Sequence, residues 1–255
     1  MNQDDKFVSI ANLAADKARI IVETYYRNIS QNVIVKDNRS LVTEADLKIE
    51  RLFRELIKKE FSDHGILGEE EKNVNLNADY VWIIDPIDGT NSFILGRPLF
   101  GTLIGLYFKG KPVLGLIDQA FTKERWFAYK NHNTTLNGRE VKTSGTKTIN
   151  ESKILLSSPE YFIDDNAAVK EFYNKAQIVA WETECYGYGL LAMGCVDAVI
   201  KSGLDPYDYL PVVKVVENAG GIIRKRNGEE LTLDYVGDVV AASSKELFNE
   251  IKQIY

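Results

Sequence analysis

The sequence predicts a mixed α/β fold in one domain, residues 1–255, and three observations predict it. Over two long N-terminal stretches, apolar residues recur at the spacing of a helix face. From Phe100 to Val141, short apolar runs are separated by Gly, Pro and Asn turns, the pattern of a hairpin meander. From about Asn150 onward, strand-like and helix-like stretches alternate. Residues 1–149 thus form an N-terminal α+β half and 150–255 a C-terminal α/β half, with no repeat, low-complexity tract or linker between them.

The first helix is predicted from about Gln3 to Asn28, where Phe7, Ile10, Leu13, Ala14, Ala18 and Ile21 share a face. A second runs from about Thr43 to Phe61, with Leu47, Leu52, Phe53, Leu56 and Ile57 as its buried stripe. Thr43-Glu44-Ala45-Asp46 resembles a capping box with aspartate in the usual glutamate position, so a structural role for Asp46 competes with a catalytic one. His64 to Gly68 is a short strand that empties into Glu69-Glu70-Glu71, ordinarily a solvated run but here just ahead of the next strand. Val81 to Ile84 suits a strand buried on both faces, expected to stop at Asp85 because Pro86 has no N–H for a sheet ladder. Gly89 and Thr90 then open a short helix.

Phe100 to Phe108 and Val113 to Asp118 are strands joined at Lys109-Gly110-Lys111-Pro112. Gly105 to Lys111 matches seven positions of a P-loop, but Pro112 replaces the residue that reaches Mg²⁺ and the context is a hairpin, which rejects a nucleotide-triphosphatase. Glu124 to Tyr129, and Thr134 to Val141 around Asn137-Gly138, extend the meander. Lys153 to Ser157, Ala176 to Ala180 and Ala198 to Lys201 are strands, with helices over Phe162 to Lys175, Cys185 to Cys195 and Tyr209 to Ala219. Ile222 to Arg226 and Glu230 to Leu233 flank Asn227-Gly228 as a hairpin, and Val239 to Ala242 leads into a last helix from Ser244.

With 45% hydrophobic and 27% charged residues, the chain can bury one large core or two smaller ones. A formal net charge of -6 argues against nucleic acid or an anionic membrane as the main partner. No run of about 18 apolar residues offers a membrane span, and the acidic start from Met1 leads into no signal peptide. Cys185 and Cys195 show no metal spacing and suit reduced core positions, so cytoplasmic residence is expected.

The chemistry is expected around Asp85-Pro86-Ile87-Asp88-Gly89-Thr90. Two carboxylates at the mouth of a buried strand are costly unless a cation neutralises them. Gly89 lets backbone N–H groups approach an anion at a helix start. A hard-cation site beside a phosphate site is the pairing of metal-assisted phosphoryl chemistry. A polar turn with an Asx cap explains a lone D-x-x-D as well, and Asp208, just before its predicted helix, can equally be a cap. The only histidines, His64 and His132, are not placed as catalytic groups.

Gly68-Glu69-Glu70, Asp85 to Thr90, and Tyr207-Asp208 ahead of Glu217-Asn218-Ala219-Gly220-Gly221 resemble the ordered signatures of the inositol monophosphatase family over nearly the whole chain. The resemblance implies alternating helix and sheet layers in an αβαβα sandwich, a homodimer, and Mg²⁺-dependent hydrolysis of small phosphate monoesters with two to three ions. It further implies that Glu69, Asp85 and the Ile87 carbonyl hold one ion, and Asp85, Asp88 and Asp208 a second. Glu69 and Thr90, the latter oriented by Asp46, would position the attacking water. Gly89 and Thr90 amides would hold phosphate oxygens, with Asp88, Glu184, Lys201 and Asp208 completing the substrate site.

Within the family, His64-Gly65-Ile66-Leu67-Gly68-Glu69-Glu70 and Pro206-Tyr207-Asp208 are similar to the histidinol-phosphatase-like branch. Where that branch reads G-G-D-C-Y, this chain has Glu182-Thr183-Glu184-Cys185-Tyr186, and Lys201 stands where a substrate-contacting glutamate is common. Tyr209-Leu210-Pro211 replaces the usual small residues. The expectation is a Mg²⁺ phosphomonoesterase acting on histidinol phosphate or inositol monophosphate. The alternative is a non-catalytic binding or regulatory protein on the same fold.

Overall fold

The structure is a computed structural model describing residues 2–28, 33–35, 41–181 and 183–255. In chain order, α1 (Gln3–Tyr25), β1 (Val33–Val35), β2 (Leu41–Thr43) and α2 (Glu44–Glu60) lead into β3 (Gly65–Gly68), β4 (Tyr80–Asp88) and α3 (Thr90–Ile94). A meander follows of β5 (Gly101–Phe108), β6 (Lys111–Gln119), β7 (Glu124–Tyr129), β8 (Thr135–Leu136) and β9 (Arg139–Glu140). Then come β10 (Lys153–Leu156), α4 (Asn166–Lys175), β11 (Ile178–Trp181), α5 (Tyr186–Ala192) and β12 (Ala198–Leu204). The chain closes with α6 (Pro206–Asn218), β13 (Ile222–Lys225), β14 (Gly237–Ala242) and α7 (Lys245–Ile254).

Strands β3 to β9 form one sheet in sequence order, antiparallel except at β3–β4. A second sheet has the order β11-β10-β12-β14-β13, with β10 parallel to β11 and β12, while β1 and β2 pair separately. Because side chains alternate along a strand, each buried strand feeds two cores. Trp82 and Ile84 pack with Phe7 and Ala14 of α1 and Ile49 and Phe53 of α2. Val81 and Ile83 face the opposite way, into a core shared with α5, α6 and the inward residues Leu155, Val199 and Ala241 of the second sheet. The alternate residues Ile154, Ile200 and Val240 meet Phe172 of α4 and Phe248 of α7. The outcome is five layers, α1/α2, sheet, α5/α6, sheet, α4/α7, as the resemblance implied.

Two paired glycines set how closely the middle helices approach. Gly105 and Gly115 are opposite each other in β5 and β6. A β-carbon on either would meet the backbone of Pro211 in α6, at 3.1 and 2.4 Å respectively. Pro211 therefore does not break α6 away from the sheet. Its backbone packs directly against the two glycines.

Several expectations need correction. β4 does not stop at Asp85: it continues to Asp88 through a register shift, with Asp85 opposite Leu103 and Asp88 opposite Gly101. Pro86 and Ile87 together stand opposite Thr102 in this bulge, which tolerates a residue without an N–H, and the Pro86 carbonyl accepts from Thr102 Oγ1 at 2.8 Å. α6 begins at Pro206, so Asp208 lies in its first turn rather than before it, and Asp205 is the N-cap. Residues Glu230 to Leu233 form no strand, and β13 pairs with β14 instead. The physical reason is Tyr209, whose hydroxyl engages the carbonyls of Thr232 and Tyr235 at 2.9 and 2.6 Å and holds that segment as a loop. α1 ends at Tyr25, because Tyr26 turns extended to hydrogen-bond the Gly96 carbonyl. α4 starts at Asn166, after a separate 3₁₀ turn over Pro159–Phe162. Cys185 is buried as expected, but Cys195 is exposed beyond the end of α5. The segment that matches seven positions of a P-loop is the β5–β6 hairpin, as expected.

Candidate active site

Asp85 and Asp88 are three residues apart, and in an unbroken strand they would point to opposite faces. The bulge restores the phase. Ile87 joins the α1/α2 core on the side of Trp82 and Ile84, leaving Asp85 and Asp88 toward α6. Asp208 enters from the first turn of α6, where its Oδ2 accepts from the Asp205 backbone N–H at 2.7 Å. Asp85, Asp88 and Asp208 each offer one oxygen, and these oxygens lie within 4.8 Å of one another.

This gathering is electrostatically expensive. Asp85 is 1% exposed, and its Oδ1 has no hydrogen-bond partner among the described residues. Burial first, then the charges of Glu69, Asp88, Asp208 and Asp46, push its carboxyl well above the usual carboxylate range. Burial, then Asp88, do the same to Asp208. Asp88 is raised by burial too, but less freely, because the Lys201 charge and the Cys185 N–H that it accepts both oppose the shift. An oxygen-only donor set with an orphaned buried oxygen fits a hard divalent cation.

The remaining sequence-predicted residues surround this trio. β3 runs parallel to β4 with Gly68 opposite Ile84, so half-buried Glu69 comes next in register beside Asp85. Asp46 is wholly buried at the start of α2, where its Oδ2 accepts from the Thr43 N–H at 2.8 Å and from the Thr43 hydroxyl. The capping box is formed, and the same carboxylate is close enough to bear on Asp85. Thr90 opens α3 and donates from Oγ1 to the Ile87 carbonyl at 3.1 Å, not to Asp46, the group expected to orient it, whose Oδ2 is taken up by Thr43. Gly89 has φ +84°, and a β-carbon there would lie 2.6 Å from Glu184 Cγ, so both conformation and space exclude a side chain.

One residue was missed in sequence: Glu50, fully buried on α2. Its carboxylate accepts the N–H groups of Glu70 and Glu71 at 2.7 and 3.0 Å and pairs with Arg54 at 2.6 Å. It thereby fixes the acidic loop that presents Glu69. The available signal was a Glu-Arg pair four residues apart with the glutamate on the apolar side of the helix.

A cleft of about 170 Å³ leads from Asp88 and Asp208 to β12, lined on its far side by Ser157, Lys201 and Gly203. Lys201 points inward and is 6% exposed, rather than reaching for solvent. Glu184 accepts from Ser92 Oγ at 3.1 Å and lies 3.9 Å from the Lys201 ammonium. Glu182 lies outside the described residues. His64 is a core residue, stacked on Phe61 and accepting from Trp82 Nε1 at 3.1 Å, with burial holding its pKa down. His132 is exposed in the turn after β7.

Comparison with known proteins agrees with this geometry. The chloroplastic bifunctional phosphatase IMPL2 of Arabidopsis thaliana is 40% identical over 242 residues, covering 94% of this chain and 70% of that protein. A histidinol-phosphatase of Chlorobaculum parvum is 34% identical over 229 residues, covering 89% of this chain and 88% of that one. The solved inositol monophosphatase of Zymomonas mobilis superposes with a TM-score of 0.87 at 31% identity, covering 100% of this chain and 99% of its own. The model of the inositol monophosphatase family matches residues 3–254, spanning the bulged strand, the acidic loop before it and the aspartate of α6. Sequence, layers and acidic trio lead to one conclusion: the chain belongs to the inositol monophosphatase family.

Proposed function

We propose that this protein is a Mg²⁺-dependent phosphomonoesterase that hydrolyses a small phosphate monoester by direct attack of water. The observation that carries this reading is the trio Asp85, Asp88 and Asp208, with Asp85 Oδ1 buried and lacking a hydrogen-bond partner. Glu69, Asp85 and the Ile87 carbonyl would hold one ion, and Asp85, Asp88 and Asp208 a second, for two to three Mg²⁺ in all. Bound there, Mg²⁺ would supply Lewis-acid stabilisation of phosphoryl oxygens and lower the pKa of water.

The protein's own groups do the rest. Thr90 has its hydroxyl proton committed to the Ile87 carbonyl, so its oxygen lone pairs are turned outward to accept from a water. Glu69 accepts the proton that the water loses. Gly89 and Thr90 amides hold phosphate oxygens, and Asp46 keeps the start of α2 against the site. Direct hydrolysis is favoured over a covalent phosphoenzyme because the one thiol in the cleft, Cys185, is pushed well above its ordinary pKa by burial and by Asp88.

Histidinol phosphate and inositol monophosphate are the rival substrates, the first supported by the histidinol-phosphatase relative at 34% identity. The same reading takes the chain as one catalytic domain in a cytoplasmic homodimer. Nucleic-acid and membrane partners do not suit a net charge of -6, and no helix among the described residues is long and apolar enough to cross a membrane. A non-catalytic role is disfavoured, since an unused acidic trio would be a standing cost to stability. The test is phosphate release with and without Mg²⁺ across histidinol phosphate, inositol monophosphate and nucleoside monophosphates. Release that EDTA abolishes is expected, and no release from any ester would contradict the reading.

A further inference from the structure

Lys201 is the unusual group in the cleft. Its side chain is 7% exposed, and among the described residues its one ion pair, to Glu184 Oε2, spans 3.9 Å, beyond hydrogen-bond reach. An ammonium carries three N–H donors, and burying it without acceptors is costly. Among the described residues, the hydroxyls beside it are engaged with other groups rather than with the ammonium. The Ser202 hydroxyl is committed to the Tyr255 hydroxyl at 2.6 Å, which is in turn committed to Asp238 Oδ2 at 3.0 Å. Ser157 Oγ accepts from the Ser202 N–H at 3.2 Å. The Lys201 ammonium therefore lines the cleft beside the Glu184 carboxylate, with N–H donors available to a ligand there.

Position says which part of a ligand supplies that acceptor. In the proposed function, the transferred phosphate is held at Gly89 and Thr90, on the β4–α3 side. Lys201 is on β12 in the other sheet, lines the same cleft as Asp88 and Asp208, and is separated from Gly89 by the Glu184 side chain. The group that extends there is the alcohol portion of the ester. We propose that Lys201 binds a second oxyanion on that alcohol, so that the preferred substrates are phosphate monoesters bearing a carboxylate or a second phosphate. Esters whose alcohol carries an ammonium without a second oxyanion, histidinol phosphate among them, are disfavoured by the same charge, so of the two rival substrates the inference weighs against that one. This inference rests on the phosphatase reading for its placement of the transferred phosphate.

Matched ligands test it. Glycerol 3-phosphate and 3-phosphoglycerate differ only in a hydroxymethyl against a carboxylate. Inositol 1-phosphate and inositol 1,4-bisphosphate differ by the second phosphate and so separate the two sources of the oxyanion. A charge-assisted hydrogen bond predicts a preference of roughly tenfold or more in kcat/KM for the doubly anionic member of at least one pair. Lys201→Gln should bring that ratio to about one, and Lys201→Arg should keep part of it, because charge rather than shape is at issue. Calorimetric titration of the phosphonate analogues gives the same ratio as dissociation constants without requiring turnover. Selective binding lost in Lys201→Gln, with neither ester hydrolysed, would sustain the inference and remove the phosphatase reading. Hydrolysis with ratios near one in both pairs, analogues that fail to bind, or a preference unchanged in Lys201→Gln would overturn the inference and leave phosphatase activity to be judged on its own.

Discussion

The carbonyl oxygen of Pro211 lies 2.4 Å from the point where a β-carbon on Gly115 would sit. Backbone meets backbone there, so neither side has a flexible end that could give way. Because Asp208 is in the same helix, this contact also sets how near it comes to Asp85 and Asp88.

Gly115→Ala should therefore lower both stability and activity. Overpacking of this kind costs about 1 to 3 kcal/mol, or roughly 5 °C in Tm for a domain of this size. Thermal melting and phosphate release on the same preparation check it. A normal Tm would show that α6 is free to shift, and the close approach would lose its significance.

Thr90→Val removes the hydroxyl and keeps the shape. Mg²⁺ affinity should stay within about threefold while kcat falls roughly a hundredfold, since only the water-orienting group is lost. Calorimetry that finds Mg²⁺ binding abolished would instead make Thr90 part of the metal site.

Asp85 and Asp208 have carboxyls raised above their unfolded values, by burial and by neighbouring carboxylates. A raised acid stabilises the fold while protonated. Its contribution is full below the unfolded pKa and is lost as pH rises through the folded one. The metal-free protein should thus lose stability as pH climbs from about 4 toward neutrality. Saturating Mg²⁺ should raise Tm by about 5 to 10 °C near neutral pH and by less near pH 5, where protons compete more strongly with the ion for these raised carboxyls. Melting curves at both pH values decide this, and an equal Mg²⁺ shift at each would detach the ion from these carboxyls.

Glu184 and Lys201 oppose each other in substrate choice. Lys201→Glu should raise kcat/KM for histidinol phosphate relative to inositol monophosphate, and Glu184→Gln should lower it, each by roughly tenfold. If both variants keep the wild-type ratio, these side chains do not govern specificity.

Much of this site was legible because its residues sit at chemically marked positions. The capping box at Thr43 and Asp46, the buried run from Val81 and the glycine before Thr90 all folded as their local chemistry predicts. What stayed hidden depended on tertiary context. Pro86 was expected to end a strand, yet a bulge absorbed it, and only the partner strand β5 reveals that Asp85 and Asp88 share a face. Glu50 looked like one more charged residue on a helix until the acidic loop closed over it. Lys201 could have reached solvent, and its burial became clear only once β12 was seen inside the second sheet. The segment after Gly228 carried a hairpin's turn signal, but Tyr209, distant in sequence, took the Thr232 carbonyl in the expected strand and the Tyr235 carbonyl just beyond it.

The central claim is that Asp85 serves Mg²⁺-dependent hydrolysis from the middle of the acidic trio. Its most direct test is phosphate release at saturating Mg²⁺ by wild type, Asp85→Asn and Glu70→Gln, with Mg²⁺ binding measured on each. The account predicts that Asp85→Asn weakens Mg²⁺ binding and loses more than about a hundredfold in kcat/KM, while Glu70→Gln loses far less. Equal losses in the two variants, or an Asp85→Asn protein that still turns over normally, would contradict it.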